Sequence, residues 1–369
     1  MPDTGFTLAN WRTAPFNRMA FHRVREIVPS ADVPNDRHRV RELPSQPADL
    51  SALRIDPDAG EPLRFDAFLQ ETSTDAMVVL HRGRIIFEKS LEQPHILMSV
   101  SKSMLGLLFG SLGLDPERRV ADLVPEVKET AYRGATLRHL LDMRVGIRFN
   151  EDYLATSGPI VEYRKATGWN PLAPGDKPSD LHAFYASLKE ADGSHGGHLH
   201  YVSPNTDLMG WVIERATGQR YADLMSELLW KRIGAEYSAY VTVDRLGAPR
   251  AAGGMCATVR DLARVGLSMI EHPTPWIEDI ERNGDPRAWA AGDLAPYFPG
   301  LPLRYRSYWY MLEGEAPLLF AYGIHGQFLF VDRRNEIVVA KFSSQALPMD
   351  TARIGLMMRA VSEIRKLLS

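Results

Sequence analysis

Apolar and polar positions follow a short alternating period near both ends of the chain. In "AMVVLHRGRIIFEKSL" two β-branched runs flank "HRG", whose turn chemistry predicts a hairpin. "GQFLFVDRRNEIVVAKFSS" repeats the pattern, predicting two alternating strands around "DRRNE". From Asp350 to Leu368 apolar residues recur at helical spacing and predict a closing helix. Between these ends, helical periods take over in "TLRHLLDM", "SDLHAFYASLK", "SPNTDLMGWVIERATG" and "RYADLMSELLWKRIG". The run from Pro94 to Leu114, "PHILMSVSKSMLGLLFGSLGL", reads as an apolar helix, and paired Gly253 and Gly254 suit a tight turn before another. Residues 1–60 are rich in Pro, Asp and Arg and read as an extended arm over a core. The pattern predicts an α/β sheet domain from residues 61–112 and 250–369, with a mostly helical domain, 113–249, inserted between.

Composition narrows the function classes. The 369 residues are 45% hydrophobic and 24% charged, ordinary globular material for about two domains. A formal net charge of -3 with interleaved signs offers no basic stripe for nucleic acid and no polybasic segment for a membrane. One cysteine, Cys256, excludes an intrachain disulfide framework and a multi-cysteine metal site. The start carries no apolar segment of signal-peptide type, and the longest apolar run, Met104 to Leu114, is too short to span a bilayer. A cytoplasmic protein with a small-molecule partner is expected. The proline-rich arm is as compatible with a homodimer as with a monomer whose arm covers its own core.

Lys102 is the anomaly in the apolar run, because Met98, Met104, Leu105, Leu107, Leu108 and Phe109 surround it in sequence. Ser99 stands three residues before it, so on a helix the two share a face. A serine near a helix N-terminus gains from free backbone N–H groups and the dipole, which favour negative charge on an attacking alkoxide or an oxyanion. A lysine serves as a base only when neutral, and apolar surroundings favour that form. The competing account is a snorkelling lysine on a half-exposed helix. Ser101 and Ser103 lack a lysine three residues on.

"HGGHLHYVSPNTDLMGWVIE" supplies a second element. Ser203 and Pro204 predict a helix start, with serine as N-cap and proline at the first helical position. Tyr201 then sits in the preceding loop, where its hydroxyl could relay a proton between serine and leaving group; a core tyrosine is the plainer alternative. His195, His198 and His200 are separated partly by glycines and lack a helical His-Glu frame, so a zinc site is not assigned.

The order of elements then resembles a known family. A hairpin, "SVSK" on an apolar helix, "TLRHLLDMRVGI", "HYVSPNTDLMGWVIE", "AAGGMCATVRDLARVG" and a C-terminal hairpin are similar to the serine β-lactamase and penicillin-binding-protein superfamily. "HLLDMRVGIRFNEDY", "SPNTDLMGW" and "YGIHGQFLFVD" resemble most its class C-type esterases and 6-aminohexanoate-dimer (nylon oligomer) hydrolases. The resemblance covers about residues 60–369. It implies a β-lactamase/transpeptidase-like fold, an antiparallel sheet flanked by helices with an inserted helical domain. It implies Ser99 as nucleophile, Lys102 as acceptor of its proton and Tyr201 as the tyrosine of the Tyr-x-Asn element. The oxyanion hole would use the backbone N–H groups of Ser99 and Ile324. Tyr153 falls where the nylon-oligomer hydrolases have a substrate-contacting tyrosine. Trp309, within "YRSYWYM", is a candidate pocket wall although aromatics at such spacing are more often core. His325 is a candidate near the site, against a strand-end hydrogen-bonding role. No metal or cofactor is implied.

Two departures shape the expected chemistry. Ser203 replaces the asparagine of Tyr-x-Asn, and "AYG", Ala321 to Gly323, replaces the usual Lys-Thr-Gly or His-Thr-Gly. The groups that hold a β-lactam or cell-wall peptide are therefore missing, which ranks β-lactamase and DD-peptidase activity low. The expected reaction is acyl transfer to water through an acyl-enzyme, on carboxylic esters or short linear amides. The alternatives are a catalytically weak binding protein on the same fold and a chelator-sensitive zinc hydrolase.

Overall fold

The computed structural model describes residues 5–369. Seven antiparallel strands form the main sheet, in the order Arg84–Lys89, Thr74–His81, Ile337–Ser343, Gln327–Asp332, Leu318–Gly323, Trp309–Leu312 and Leu303–Arg306. Both expected hairpins are present. The two ends of the chain meet where Thr74–His81 pairs with Ile337–Ser343, Val79 opposite Val339. Every residue of Leu318–Gly323, Gln327–Asp332 and Ile337–Ser343 is buried, as expected of central strands covered on both faces. Helices Val259–Glu271 and Thr351–Leu368 pack on the sheet. A Cβ on Gly266 would approach Val338 Cγ1 to 2.6 Å, so the glycine lets the first of them sit close.

A second, four-stranded sheet carries no signal in the sequence pattern. It runs Ser30–Val33, Ala239–Thr242, Met255–Ala257, His95–Ile96. Two expectations change here. The apolar run from Pro94 is not one helix: His95 and Ile96 pair with Ala257 and Cys256, and the helix spans only Val100–Gly110. Burial on all sides makes the run apolar throughout, so periodicity marks no boundary. The glycine pair, likewise, leads into a strand before helix Val259–Glu271, and a Cβ on Gly254 would collide with Thr242 Oγ1.

The N-terminal arm is more than an extended cover. It contributes helix Asn17–Ala20 and strand Ser30–Val33. Trp11, Phe21, Val24 and Val28 are buried in a separate apolar cluster with Ile96, Met98, Trp169 and Ile324. That cluster includes Met98, the residue before Ser99. Among the described residues no helix is long and apolar enough to cross a membrane.

Candidate active site

Ser99 caps helix Val100–Gly110 with αR angles, directly after Met98, whose φ of 47° is in the left-handed region. A non-glycine residue held there is uncommon, and here it turns the chain sharply from strand to helix. The strand Leu318–Gly323 ends against this turn. A Cβ on Gly323 would stand 2.7 Å from the Leu97 carbonyl oxygen and 3.0 Å from the Ser99 nitrogen, so only glycine fits. Ile324 begins the following loop, with His325 and Gly326 at φ 62° and 88°. Neither the Ser99 nor the Ile324 backbone N–H donates a hydrogen bond among the described residues. Free N–H groups at a partly buried site are costly unless a ligand takes them, which suits donors kept for an oxyanion.

Lys102 is 1% exposed, and its Nζ donates to Ser99 Oγ at 2.9 Å, Ser203 Oγ at 3.1 Å and the Ala252 carbonyl at 2.7 Å. Burial lowers its pKa to about 7, against an opposing pull from Glu151. The partners differ in what they can return. Ala252 offers only a carbonyl oxygen, and the Ser203 hydroxyl donates to Glu151 Oε1. When Lys102 loses a proton, Ser99 is therefore the one partner able to donate into the amine lone pair.

Two supports hold this arrangement. Glu151 Oε2 accepts the Ser203 N–H at 2.8 Å while Oε1 takes the hydroxyl. Asp207, buried with Arg250, accepts the Ala252 N–H at 2.7 Å and the Tyr163 hydroxyl and Arg250 guanidinium on its other oxygen. The buried ion pair thus fixes the carbonyl that grips Lys102. Helix Ser203–Thr217 starts at Ser203 itself, with Val202 as N-cap, because the Ser203 side chain is committed to Glu151.

Tyr201 lies in the loop before that helix, 5% exposed, with its ring centroid 5.0 Å from Lys102 Nζ. Its hydroxyl interacts with Ser99 and Tyr310, and burial pushes its pKa up, so it is a protonated donor at neutral pH. Ser99, Lys102 and Tyr201 thus converge, and Ile324 joins them.

A small recess of about 30 Å³ lies at Ser99, bordered by Ile324, Gly253 and Arg12. It shares Glu151 and Tyr153 with a cleft of about 620 Å³ that Tyr201 and Met349 also line. Tyr153 therefore stands at the junction. The other two candidates lie elsewhere. Trp309 is fully buried and donates its indole N–H to the Ser103 carbonyl at 3.2 Å, and it lines neither cavity. His325 is buried with Nδ1 2.7 Å from the Gln345 carbonyl and its ring against Phe21, and burial lowers its pKa to about 4. Residue type suggested both for the site, and burial in the core keeps them out of its cavities.

Arg12 is a site residue that periodicity could not find. It comes from the N-terminal arm, lies over Trp169 with its guanidinium carbon 5.8 Å from the ring centroid, and has a buried, unpartnered Nε. Of the three loop histidines, His195 bridges the Gly146 N–H and the Arg133 carbonyl. His200 pairs with Asp293 at 2.6 Å; burial opposes and the Asp293 hydrogen bond favours its charged form, and the net shift is upward. His198, His200 and Asp293 hold ligating atoms within 4.8 Å of one another at the exposed rim.

A Ser-x-x-Lys helix start, a tyrosine on the opposing loop and a backbone N–H at the end of a central strand define a hydrolase of the serine β-lactamase fold. The chain belongs to the beta-lactamase family, whose pattern matches residues 64–361. It is 34% identical over 356 residues to the 6-aminohexanoate-dimer hydrolase of Paenarthrobacter ureafaciens, covering 92% of this chain and 88% of that one. Its fold is similar to the solved "Putative 6-aminohexanoate-dimer hydrolase from Bacillus anthracis", with a TM-score of 0.88, 25% identity and coverage of 98% and 97% of the two chains. A D-stereospecific amidohydrolase from a Streptomyces species shares the fold, with a TM-score of 0.59, 18% identity and coverage of 78% and 97%.

Proposed function

We propose that the protein hydrolyses short linear amides of the 6-aminohexanoate-oligomer type, and simple carboxylic esters, through an acyl-enzyme on Ser99. The carrying observation is the Lys102 environment, in which loss of a proton leaves Ser99 as the one hydroxyl able to donate to the amine. Ser99 Oγ attacks the carbonyl as its proton passes to Lys102. The developing oxyanion takes the Ser99 and Ile324 N–H groups. Tyr201 delivers a proton to the departing amine or alcohol, and a water then releases the acid by the reverse relay.

Substrate class rests on two further supports. The relative from Paenarthrobacter ureafaciens is a 6-aminohexanoate-dimer hydrolase at 34% identity. Arg12, at the recess, offers a guanidinium to a substrate carboxylate. The test is turnover of the linear 6-aminohexanoate dimer, p-nitrophenyl acetate and nitrocefin by one preparation. Hydrolysis of dimer and ester with nitrocefin untouched supports the reading; nitrocefin turnover with an inert dimer overturns it.

A further inference from the structure

Away from the catalytic groups, three side chains from separate parts of the fold converge. His22 follows the arm helix Asn17–Ala20, Asp75 lies on the main-sheet strand Thr74–His81, and His95 opens the small-sheet strand His95–Ile96. Their ligating atoms all lie within 4.8 Å of one another, and His95 Nε2 is 3.4 Å from Asp75 Oδ2. The His95 and Asp75 side chains are 1% and 5% exposed.

The hydrogen bonding around them is incomplete. His95 Nδ1 stands 2.8 Å from the Ile96 carbonyl, which can only accept, so Nδ1 carries the hydrogen. In the neutral ring Nε2 then presents a lone pair to a carboxylate oxygen, a contact made favourable by a second ring proton or by a metal cation shared with His22. His22 Nδ1 is buried without a partner, and the 3.4 Å between His95 Nε2 and Asp75 Oδ2 is long for a hydrogen bond. Ring orientation is fixed as well: His95 stacks on Phe342 at 4.8 Å and 6° and meets Phe21 edge-on. Ser344 hydrogen-bonds the Asp75 carboxylate, and Lys341 donates instead to Ser343 and the Thr72 carbonyl. Histidines held by a carbonyl on one nitrogen and free on the other are the usual support for metal ligands.

We propose that His22, Asp75 and His95 bind one divalent transition-metal ion, zinc by preference, with water completing four-coordination. Two imidazoles and a carboxylate suit zinc. Ligand atoms of a tetrahedral zinc site stand about 3.3 Å apart, close to the 3.4 Å between His95 and Asp75. His22 closes on the pair to complete the set. The ion ties the N-terminal arm to both sheets, four residues upstream of Ser99, so its role is to hold the floor of the site.

The test uses the full chain stripped with a chelator, titrated with Zn²⁺ by equilibrium dialysis and with Co²⁺ by visible absorption, alongside His22→Ala and the near-isosteric Asp75→Asn. The expected result is one ion per chain, d–d bands of four-coordinate Co²⁺, a raised Tm with metal, and affinity reduced about tenfold or more in either variant that keeps the wild-type circular dichroism. If both variants misfold, His198→Ala decides the matter: stoichiometric binding kept in that variant supports the proposal, and binding lost overturns it. Absence of stoichiometric binding overturns the proposal, as does affinity unchanged in the variants, which would put the ion at His198, His200 and Asp293.

Discussion

Glu151 grips Ser203 with both carboxylate oxygens, one on the backbone N–H at 2.8 Å and the other on the hydroxyl. Because that hydroxyl proton is spent on Glu151, it cannot compete with Ser99 for the Lys102 lone pair. Glu151→Gln can donate from its amide to Ser203, releasing the serine proton toward Lys102. The predicted loss in kcat is about 10- to 100-fold, a modest share of general-base catalysis. A pH series checks it. Wild-type esterase activity should rise through about pH 7 as Lys102 deprotonates. Glu151 raises that pKa, so its neutralisation should move the midpoint down.

Tyr201→Phe should discriminate between leaving groups. A p-nitrophenolate leaves without protonation whereas an amine must be protonated, so the variant should lose about 10²- to 10⁴-fold on the linear dimer amide and distinctly less on p-nitrophenyl acetate. Parallel kcat/KM values for both substrates measure the difference, and equal losses would remove Tyr201 from the leaving-group step.

Gly323→Ala pushes a methyl group toward the Leu97 carbonyl and the Ser99 nitrogen. Displacing an oxyanion donor costs about 10²- to 10³-fold in kcat, and the overpacking costs about 1–3 kcal/mol of stability. Steady-state kinetics with denaturant melts separates the two effects.

Arg12→Ala should raise KM for the carboxylate-bearing dimer about tenfold or more, in line with loss of a charged hydrogen bond of about 1.5–3 kcal/mol. KM for the neutral ester should stay nearly constant. An equal rise for both substrates would mean that Arg12 serves only its contacts with Asn170 and Trp169.

The legible parts of this protein are the local ones. Ser99 and Lys102 stand three residues apart, and Tyr201 lies two residues before the Ser-Pro at the start of a helix, so one turn of chain carries each signal. Both hairpins and the closing helix, Thr351–Leu368, followed from periodicity. Ile324 came from family resemblance rather than from pattern. Glu151, Arg12 and Asp207 were invisible because their partners Ser203, Trp169 and Arg250 lie far away in sequence. The small sheet escaped for a similar reason: its four strands, of at most four residues each, come from distant parts of the chain. Trp309 and His325 were drawn toward the site by residue type, and burial in the core assigned them elsewhere.

The central claim is covalent chemistry at Ser99. Wild type and Ser99→Ala should be treated with a fluorophosphonate probe and digested, the labelled peptide identified by mass, and p-nitrophenyl acetate turnover followed in parallel. The account predicts a single adduct on the peptide containing Ser99, absent from the variant, with turnover reduced by about 10⁴-fold or more. An unlabelled, inactive wild type, or labelling and turnover that persist without Ser99, would contradict it.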